Sequence, residues 1–249
     1  MQQHKDKIAF VAGGTRGIGR AIALHLAQDN VGTLFINYLE NDENAAETKT
    51  LLEQYGVKVY LLKYNLAFPM EINAMFEAIK VLTQHLDYVV HCVALTTFKP
   101  LAAVKPNQWD LTMNVSARSF LGCAQNAAPL MKNGGGIVAI SSTGSQRYNA
   151  NYGALGVAKA TLESIVKYLA VELATQNIRV NGVVSGLILG DKLPPFPNIE
   201  DIVDETIRRT PAGRLGTPED VAEMVHFMLT KAKWLCGQNI ILDGGFCLT

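Results

Sequence analysis

Near its start the chain runs from a short apolar stretch, residues 8–12, through Gly13-Gly14-Thr15-Arg16-Gly17-Ile18-Gly19 into a segment of helical spacing, 18–27. A strand that breaks into glycines and restarts as a helix restricts the possible folds severely. Glycines permit a tight turn and let the backbone approach a ligand. The free N–H groups and partial positive charge of a helix start favour an anion such as a pyrophosphate. The other reading is a glycine turn used for close packing. A loop that follows a strand, opens a helix and heads a βαβ unit favours the phosphate.

The same alternation continues. Strands are expected over 33–37, 57–62, 88–93, 137–141, 178–184 and 239–242. Helices are expected over 45–55, 72–85, about 108–131, 152–175, 199–209 and 218–230. Strands of five or six residues without polar alternation are buried on both faces, as in a parallel sheet. Regular βαβ order then gives an α/β, Rossmann-type, doubly wound sheet, expected as a single domain over 1–249. Residues 187–211, with Pro194-Pro195, Pro197 and Pro211, interrupt the order after the sixth strand. They read either as a small lid over the crevice at the strand ends or as a surface loop.

Composition narrows the partners. The 249 residues carry 22 Lys+Arg against 22 Asp+Glu, a formal net charge of +0. That leaves no basic excess for nucleic acid. With 49% apolar and 18% charged residues the chain is not disordered. No apolar run approaches the roughly 20 residues of a membrane helix, and the start has no signal-peptide shape. Cys92, Cys123, Cys236 and Cys247 form no CxxC pair. They read as reduced thiols of a cytoplasmic protein, with no metal site.

The glycine spacing, GxxxGxG, resembles that of the short-chain dehydrogenases/reductases, with Ala12 where their TGxxxGxG pattern has Thr. The resemblance extends along the chain. Trp109-Asp110-x-x-Met113-Asn114 resembles the helix carrying the family's catalytic Asn, and Ile140-Ser141-Ser142 its serine motif. The stretches Pro211-Ala-Gly-Arg-Leu-Gly-Thr-Pro-Glu-Asp-Val-Ala222 and Gly237-Gln-x-Ile-x-Leu-Asp-Gly-Gly245 resemble its C-terminal signatures. The resemblance implies that Gly13, Thr15, Arg16, Gly17, Ile18 and Gly19 hold the pyrophosphate. Asn65-Leu66 would lie on the adenine side, and Gly186 and Ile188 would also contact cofactor. It further implies a homotetramer built from the two long helices and the C-terminal strand.

For the nicotinamide cofactor, the second strand ends in Asn37-Tyr38 without an acid to hold ribose hydroxyls. Arg16 could pair with a 2′-phosphate. Both favour NADPH over NADH, although Glu40 is near and Arg16 also reads as a solvated loop charge.

Most members of this family carry Tyr-x-x-x-Lys on the long helix. Here the residue four before Lys159 is Leu155, and the nearest tyrosine, Tyr152, stands seven before it. Steps of seven and four turn a helix by ~700° and ~400°, so both keep one face, but the hydroxyl moves ~4.5 Å along the axis. Reducing a ketone puts a proton next to the carbon that takes hydride. Reducing a conjugated enoyl thioester develops charge on an oxygen several bonds away, so the group stabilising it should stand further from the nicotinamide. Tyr-x6-Lys is the spacing of enoyl-acyl-carrier-protein reductases. The stretch Arg147-Tyr148-x-x-Asn151-Tyr152-x-x-x-Gly156-Val157-x-Lys159-Ala160-x-Leu162-Glu163 is most similar to the NADPH-dependent type III (FabL-like) enzymes, as is Phe196-Pro197-Asn198-x-Glu200-Asp201.

That resemblance implies catalytic roles for Tyr152, Lys159, Asn114 and Ser142. Lys159 would bind the nicotinamide ribose and lower the Tyr152 pKa. Asn114 would hold a water or kink its helix. Ser142 reads equally as substrate contact or structural serine. Tyr148, Leu95 and Leu155 are expected near substrate, Tyr148 being also a rival donor. His91-Cys92-Val93-Ala94 stands where the family has Asn-Asn-Ala-Gly; His91 tempts a catalytic reading, but a packed strand-end histidine is favoured without a partner. Arg208, Arg209 and Arg214 could meet an acidic acyl-carrier protein or be a solvated face. The expected activity is therefore NADPH-dependent reduction of an enoyl thioester. The alternatives are a ketone or imine reductase with a displaced donor and a silent nucleotide-binding module.

Overall fold

In the computed structural model, which describes residues 6–29, 31–190 and 199–249, seven parallel strands form one sheet in the order β3-β2-β1-β4-β5-β6-β7. They are β1 (Lys7–Ala12), β2 (Val31–Tyr38), β3 (Lys58–Lys63), β4 (Tyr88–His91), β5 (Gly135–Ser142), β6 (Ile178–Ser185) and β7 (Asn239–Leu242). Side chains alternate across the pleat, so the central strands feed two cores. Phe10 of β1 joins Phe35, Phe76, Phe120, Leu162 and Val166 on one face. Its neighbours Ala9 and Val11 join Ile22, Leu26, Val225 and Met228 on the other. The first core lies under α3 (Pro69–Leu82), α5 (Ser119–Ala127) and α6 (Gly153–Glu172); the second lies under α1 (Gly17–Gln28) and α8 (Pro218–Thr230). The helix α2 (Asp42–Glu53) precedes β3.

The strand order reverses between β1 and β4, and such a switch point is where an open α/β sheet offers its ligand crevice. Here the loops after β1 and β4 touch. A Cβ on Gly13 would stand 2.7 Å from the Cys92 carbonyl oxygen, and Gly13 adopts φ +72°. A methyl on Gly19 would overlap the Gly13 carbonyl. Both positions therefore require glycine, Gly13 because the loop after β4 and its positive φ leave no room for a side chain, Gly19 because α1 closes directly on the loop.

Three expectations are refined. The helical stretch 108–131 is four pieces: α4 (Pro106–Met113), a π turn at Asn114–Arg118, α5, and a 3-10 turn at Ala128–Leu130. β4 stops at His91, before Val93. Tyr152 precedes α6 as its N-cap, with φ −106° and ψ 0°. Of the expected lid, Asp191 to Asn198 lie outside the described residues, Phe196-Pro197-Asn198 among them. Ile199–Arg209 forms the helix α7.

Candidate active site

The loop after β1 is locked from behind. The Gly13 and Gly14 amides both donate to the Asn37 carbonyl at 3.1 Å. The Thr15 carbonyl accepts from the Thr48 hydroxyl at 2.9 Å and from the Arg20 guanidinium at 3.0 and 3.1 Å. In front it is open. Arg16, exposed, is the extended N-cap of α1 and supplies no side-chain cap. Gly17 adopts φ +49° with nothing within 4 Å of an added Cβ. Uncapped first-turn N–H groups facing free space fit the phosphates of a dinucleotide. Ile18 is half-buried beside them.

At the tip of β2 the sequence reading needs correcting. The Asn37 side chain is buried, and its amide donates to the Leu62 and Tyr64 carbonyls at 3.1 and 3.0 Å. It braces β2 on β3 and does not project toward a ribose. Asp42, an acid the reading of this tip did not weigh, accepts from the Tyr38 hydroxyl at 2.8 Å and from Lys63 at 2.7 Å. Lys63 holds the Asp42 carboxyl below its ordinary range and stands 5.9 Å above the Tyr38 ring. Asn65 and Leu66 follow β3 at the same sheet edge. The Asn65 side chain accepts from the Ala67 amide at 2.9 Å, and Leu66 is buried.

The end of β5 carries the tyrosine. Ser142 leads into a 3-10 turn, Thr143–Ser145, and its hydroxyl accepts from the Gly144 amide at 3.3 Å. The same side chain hydrogen-bonds Tyr152. The Tyr152 ring lies on Gly144, where a Cβ would overlap it, and Gly156 packs on the Gly144 carbonyl. Phe98, which sequence reasoning missed, tilts against that ring at 6.2 Å. Leu155, four residues before Lys159, is buried.

Lys159 is 4% exposed. It donates to the Ile140 carbonyl at 2.7 Å and to the Val93 carbonyl at 3.4 Å. Burial lowers its pKa to about 8, with Cys92 and Glu163 pulling the other way. The Tyr152 hydroxyl is pushed up by burial and pulled down by Ser142. The expectation that Lys159 lowers the Tyr152 pKa is thus corrected: the ammonium turns to the end of β5 and the loop after β4, and Ser142 is the group that lowers it.

His91 is a packed strand-end histidine. Its Nε2 meets the Ser119 hydroxyl at 2.7 Å, and Ser119 donates to the Val115 carbonyl at 2.6 Å. With the serine proton directed to Val115, Nε2 carries the proton of the pair. Burial pushes the imidazole pKa down to about 3, so it is neutral. This chain ties β4 to the π turn that begins at Asn114. Ser116 adds a second tie, accepting from the Leu95 amide and donating to its carbonyl, both at 3.2 Å. The Asn114 side chain is half-buried, and that of Leu95 is 45% exposed.

A groove of about 440 Å³ runs past Tyr148, Tyr152, Gly153 and Leu101. Tyr148, 88% exposed, lines it; Leu95 and Leu155 do not. Gly186 and Ile188 line a second cavity of about 140 Å³ below α7. The arginines expected at a carrier surface are engaged within the chain. Arg208 pairs with Glu205 at 2.6 Å, Arg214 with Asp220 at 2.6 Å, and Arg209 with the Thr249 carbonyl and the Phe246 ring. Among the described residues no helix is long and apolar enough to cross a membrane, and no group of three His, Cys, Asp or Glu residues could hold a metal.

A family described as enoyl-(acyl carrier protein) reductase matches residues 12–247. The chain is 36% identical to 1-cyclohexenylcarbonyl-CoA reductase of Streptomyces collinus, over 99% of this chain and 90% of that one. It is 30% identical to a 3-oxoacyl-[acyl-carrier-protein] reductase of Staphylococcus aureus, over 96% and 97%. Its structure superposes with a TM-score of 0.90 and 30% identity on Bacillus cereus enoyl-acyl carrier protein reductase, solved with NADP+ and indole naphthyridinone. That match covers 100% of this chain and 99% of that one. A short-chain alcohol dehydrogenase of Sinorhizobium meliloti gives 0.92 at 26% identity, over 98% of each.

The burial of Lys159 makes a direct prediction. In side-chain NMR its 13Cε resonance should titrate near pH 8, well below Lys63, which Asp42 pushes up, and should vanish in Lys159→Met. A protein with no lysine titrating below about pH 9 would contradict this environment.

Proposed function

The chain belongs to the short-chain dehydrogenases/reductases, NAD(P)H-dependent oxidoreductases, within the family described as enoyl-(acyl carrier protein) reductase, and we propose that it reduces the C=C bond of an enoyl thioester with NADPH. One observation carries the reading. The Tyr152 hydroxyl is anchored on Ser142 at the very start of α6, while the position one turn nearer Lys159 is filled by buried Leu155.

Gly13, Thr15, Arg16, Gly17, Ile18 and Gly19 would hold the pyrophosphate. Asn65 and Leu66 would lie on the adenine side, Gly186 and Ile188 beside the nicotinamide end, and Lys159 on the ribose through its remaining N–H. NADPH is supported by exposed Arg16 and by Lys63, which pairs with Asp42, the acid that accepts from the Tyr38 hydroxyl at the β2 tip. When bound, the cofactor supplies the hydride, which goes to the β-carbon. Tyr152 donates a hydrogen bond to the thioester oxygen as enolate charge develops, and a proton from solvent then reaches the α-carbon to complete the reduction. Its raised pKa keeps the phenol protonated at neutral pH, as such a donor requires. Ser142 orients the hydroxyl, and Asn114, held by the braced π turn, completes the catalytic set. Tyr148, which lines the groove, would meet the substrate; Leu95 and Leu155 lie outside that lining, and buried Leu155 would act through packing.

The thioester is more simply a coenzyme A ester than a carrier-protein ester. The Streptomyces relative is named for a CoA substrate, and Arg208, Arg209 and Arg214 have partners within the chain. A 3-oxoacyl reductase is the second reading, favoured by the Staphylococcus relative. The free thiols support a cytoplasmic setting. Exposed Tyr168, Val171, Trp234 and Ile241 support the homotetramer, and sedimentation should then give four times the chain mass; a monomer would exclude it.

With NADPH, crotonyl-CoA should be reduced and acetoacetyl-CoA left untouched. Tyr152→Phe should lower kcat about 10²–10³-fold, as loss of one oxyanion donor does. Turnover of acetoacetyl-CoA alone would overturn the enoyl reading.

A further inference from the structure

Behind the tyrosine lies a carboxylate that the reaction scheme leaves without a part. Glu163 stands one helical turn after Lys159 on α6, on the same face. Its Oε1 accepts from the Ser141 hydroxyl at 2.5 Å and from the Ser145 hydroxyl. These two serines bracket Ser142, one at the end of β5 and one closing the 3-10 turn. The Ser145 Oγ also lies 2.8 Å from the Ser142 carbonyl, so its single proton is shared between that oxygen and the carboxylate. A half-buried carboxylate that gathers both ends of a four-residue turn is poorly suited to a merely solvated surface role.

Resting on the reading of Tyr152 and Lys159 given above, we propose that Glu163 is a positioning residue that holds the Ser142–Tyr152 pair in place and stands as the counter-charge one turn from the buried Lys159 ammonium. The two tasks come from one group. The hydroxyl bonds fix the turn that carries Ser142 and against which the Tyr152 ring lies. The negative charge opposes the burial of Lys159.

The surroundings single out Glu163 for the second task. The titratable groups acting on Lys159 are Cys92 at the end of β4 and Glu163 on its own helix, and His91 also couples to it. His91 stays neutral above about pH 3, and the Cys92 thiol is pushed up to about 11. Tyr152, also pushed up, is an uncharged phenol at neutral pH. Among the described groups that act on Lys159, the Glu163 carboxylate is then the one left to balance the buried ammonium. Removing it makes the charged amine harder to keep, so proton loss moves to lower pH.

The experiment is NADPH binding, followed by cofactor fluorescence against pH, in wild type and Glu163→Gln. Glutamine preserves an acceptor for the two serines and removes the charge. Binding should weaken as Lys159 loses its proton on the alkaline side. In Glu163→Gln that midpoint should fall by at least about half a pH unit, with the melting temperature little changed. An unmoved midpoint overturns the proposal. This readout needs no substrate, so it stands apart from failure of the enoyl assignment, which crotonyl-CoA tests. If the glutamine variant does not fold, Ser145→Ala decides: it keeps the charge and removes one hydroxyl. Its midpoint should match wild type while kcat with the accepted thioester falls several-fold, and an unchanged kcat overturns the positioning role.

Discussion

The site rests on a close approach between a turn and the start of a helix. Gly144 lies under the Tyr152 ring, and Gly156 packs on the Gly144 carbonyl; neither position has room for a Cβ. This contact brings the end of β5 and the first turn of α6 together, so that Ser142 reaches the tyrosine hydroxyl. It also sets how far that hydroxyl stands from Lys159, which is buried further along the helix. A larger residue at 144 would separate the parts without changing any of them.

Charge is handled by burial with specific partners. Lys159 is held by the carbonyl of Ile140 near the end of β5 and that of Val93 in the loop after β4, and His91 is kept neutral and used as a strut. The strut reaches the π turn where α4 gives way to α5. A π turn shifts the helix register locally, and the His91–Ser119–Val115 chain supports that shift just beyond Asn114. The change from the family's usual Asn to His91 thus retains a hydrogen-bonding group at the strand end and gives it a partner on the helix.

Much of this was legible in the residues. Strand and helix order followed from apolar runs and glycine punctuation, because a parallel sheet buried on both faces leaves a strong pattern. The glycine loop, the serine motif and the displaced tyrosine were visible as spacing. The π turn was not, since residues 108–131 keep an unbroken helical pattern and the irregularity is stabilised from β4, far away in sequence. The inward turn of the Asn37 amide depends on carbonyls of the following strand. Arg208 has a local partner, Glu205 one turn back on α7, but Arg209 meets the chain end at Thr249 and Arg214 meets Asp220 on α8, which a reading of local charge does not pair. Phe98 gave no periodic signal because it lies in the irregular loop after β4.

On the proposed function, a tyrosine one turn from its usual place selects the carbon that receives hydride. A conjugated enone offers both bonds in one molecule, and NADPH deuterated at the transferring position marks the one attacked. The account predicts deuterium on the β-carbon of a saturated ketone. Deuterium on the carbinol carbon of an allylic alcohol would contradict it.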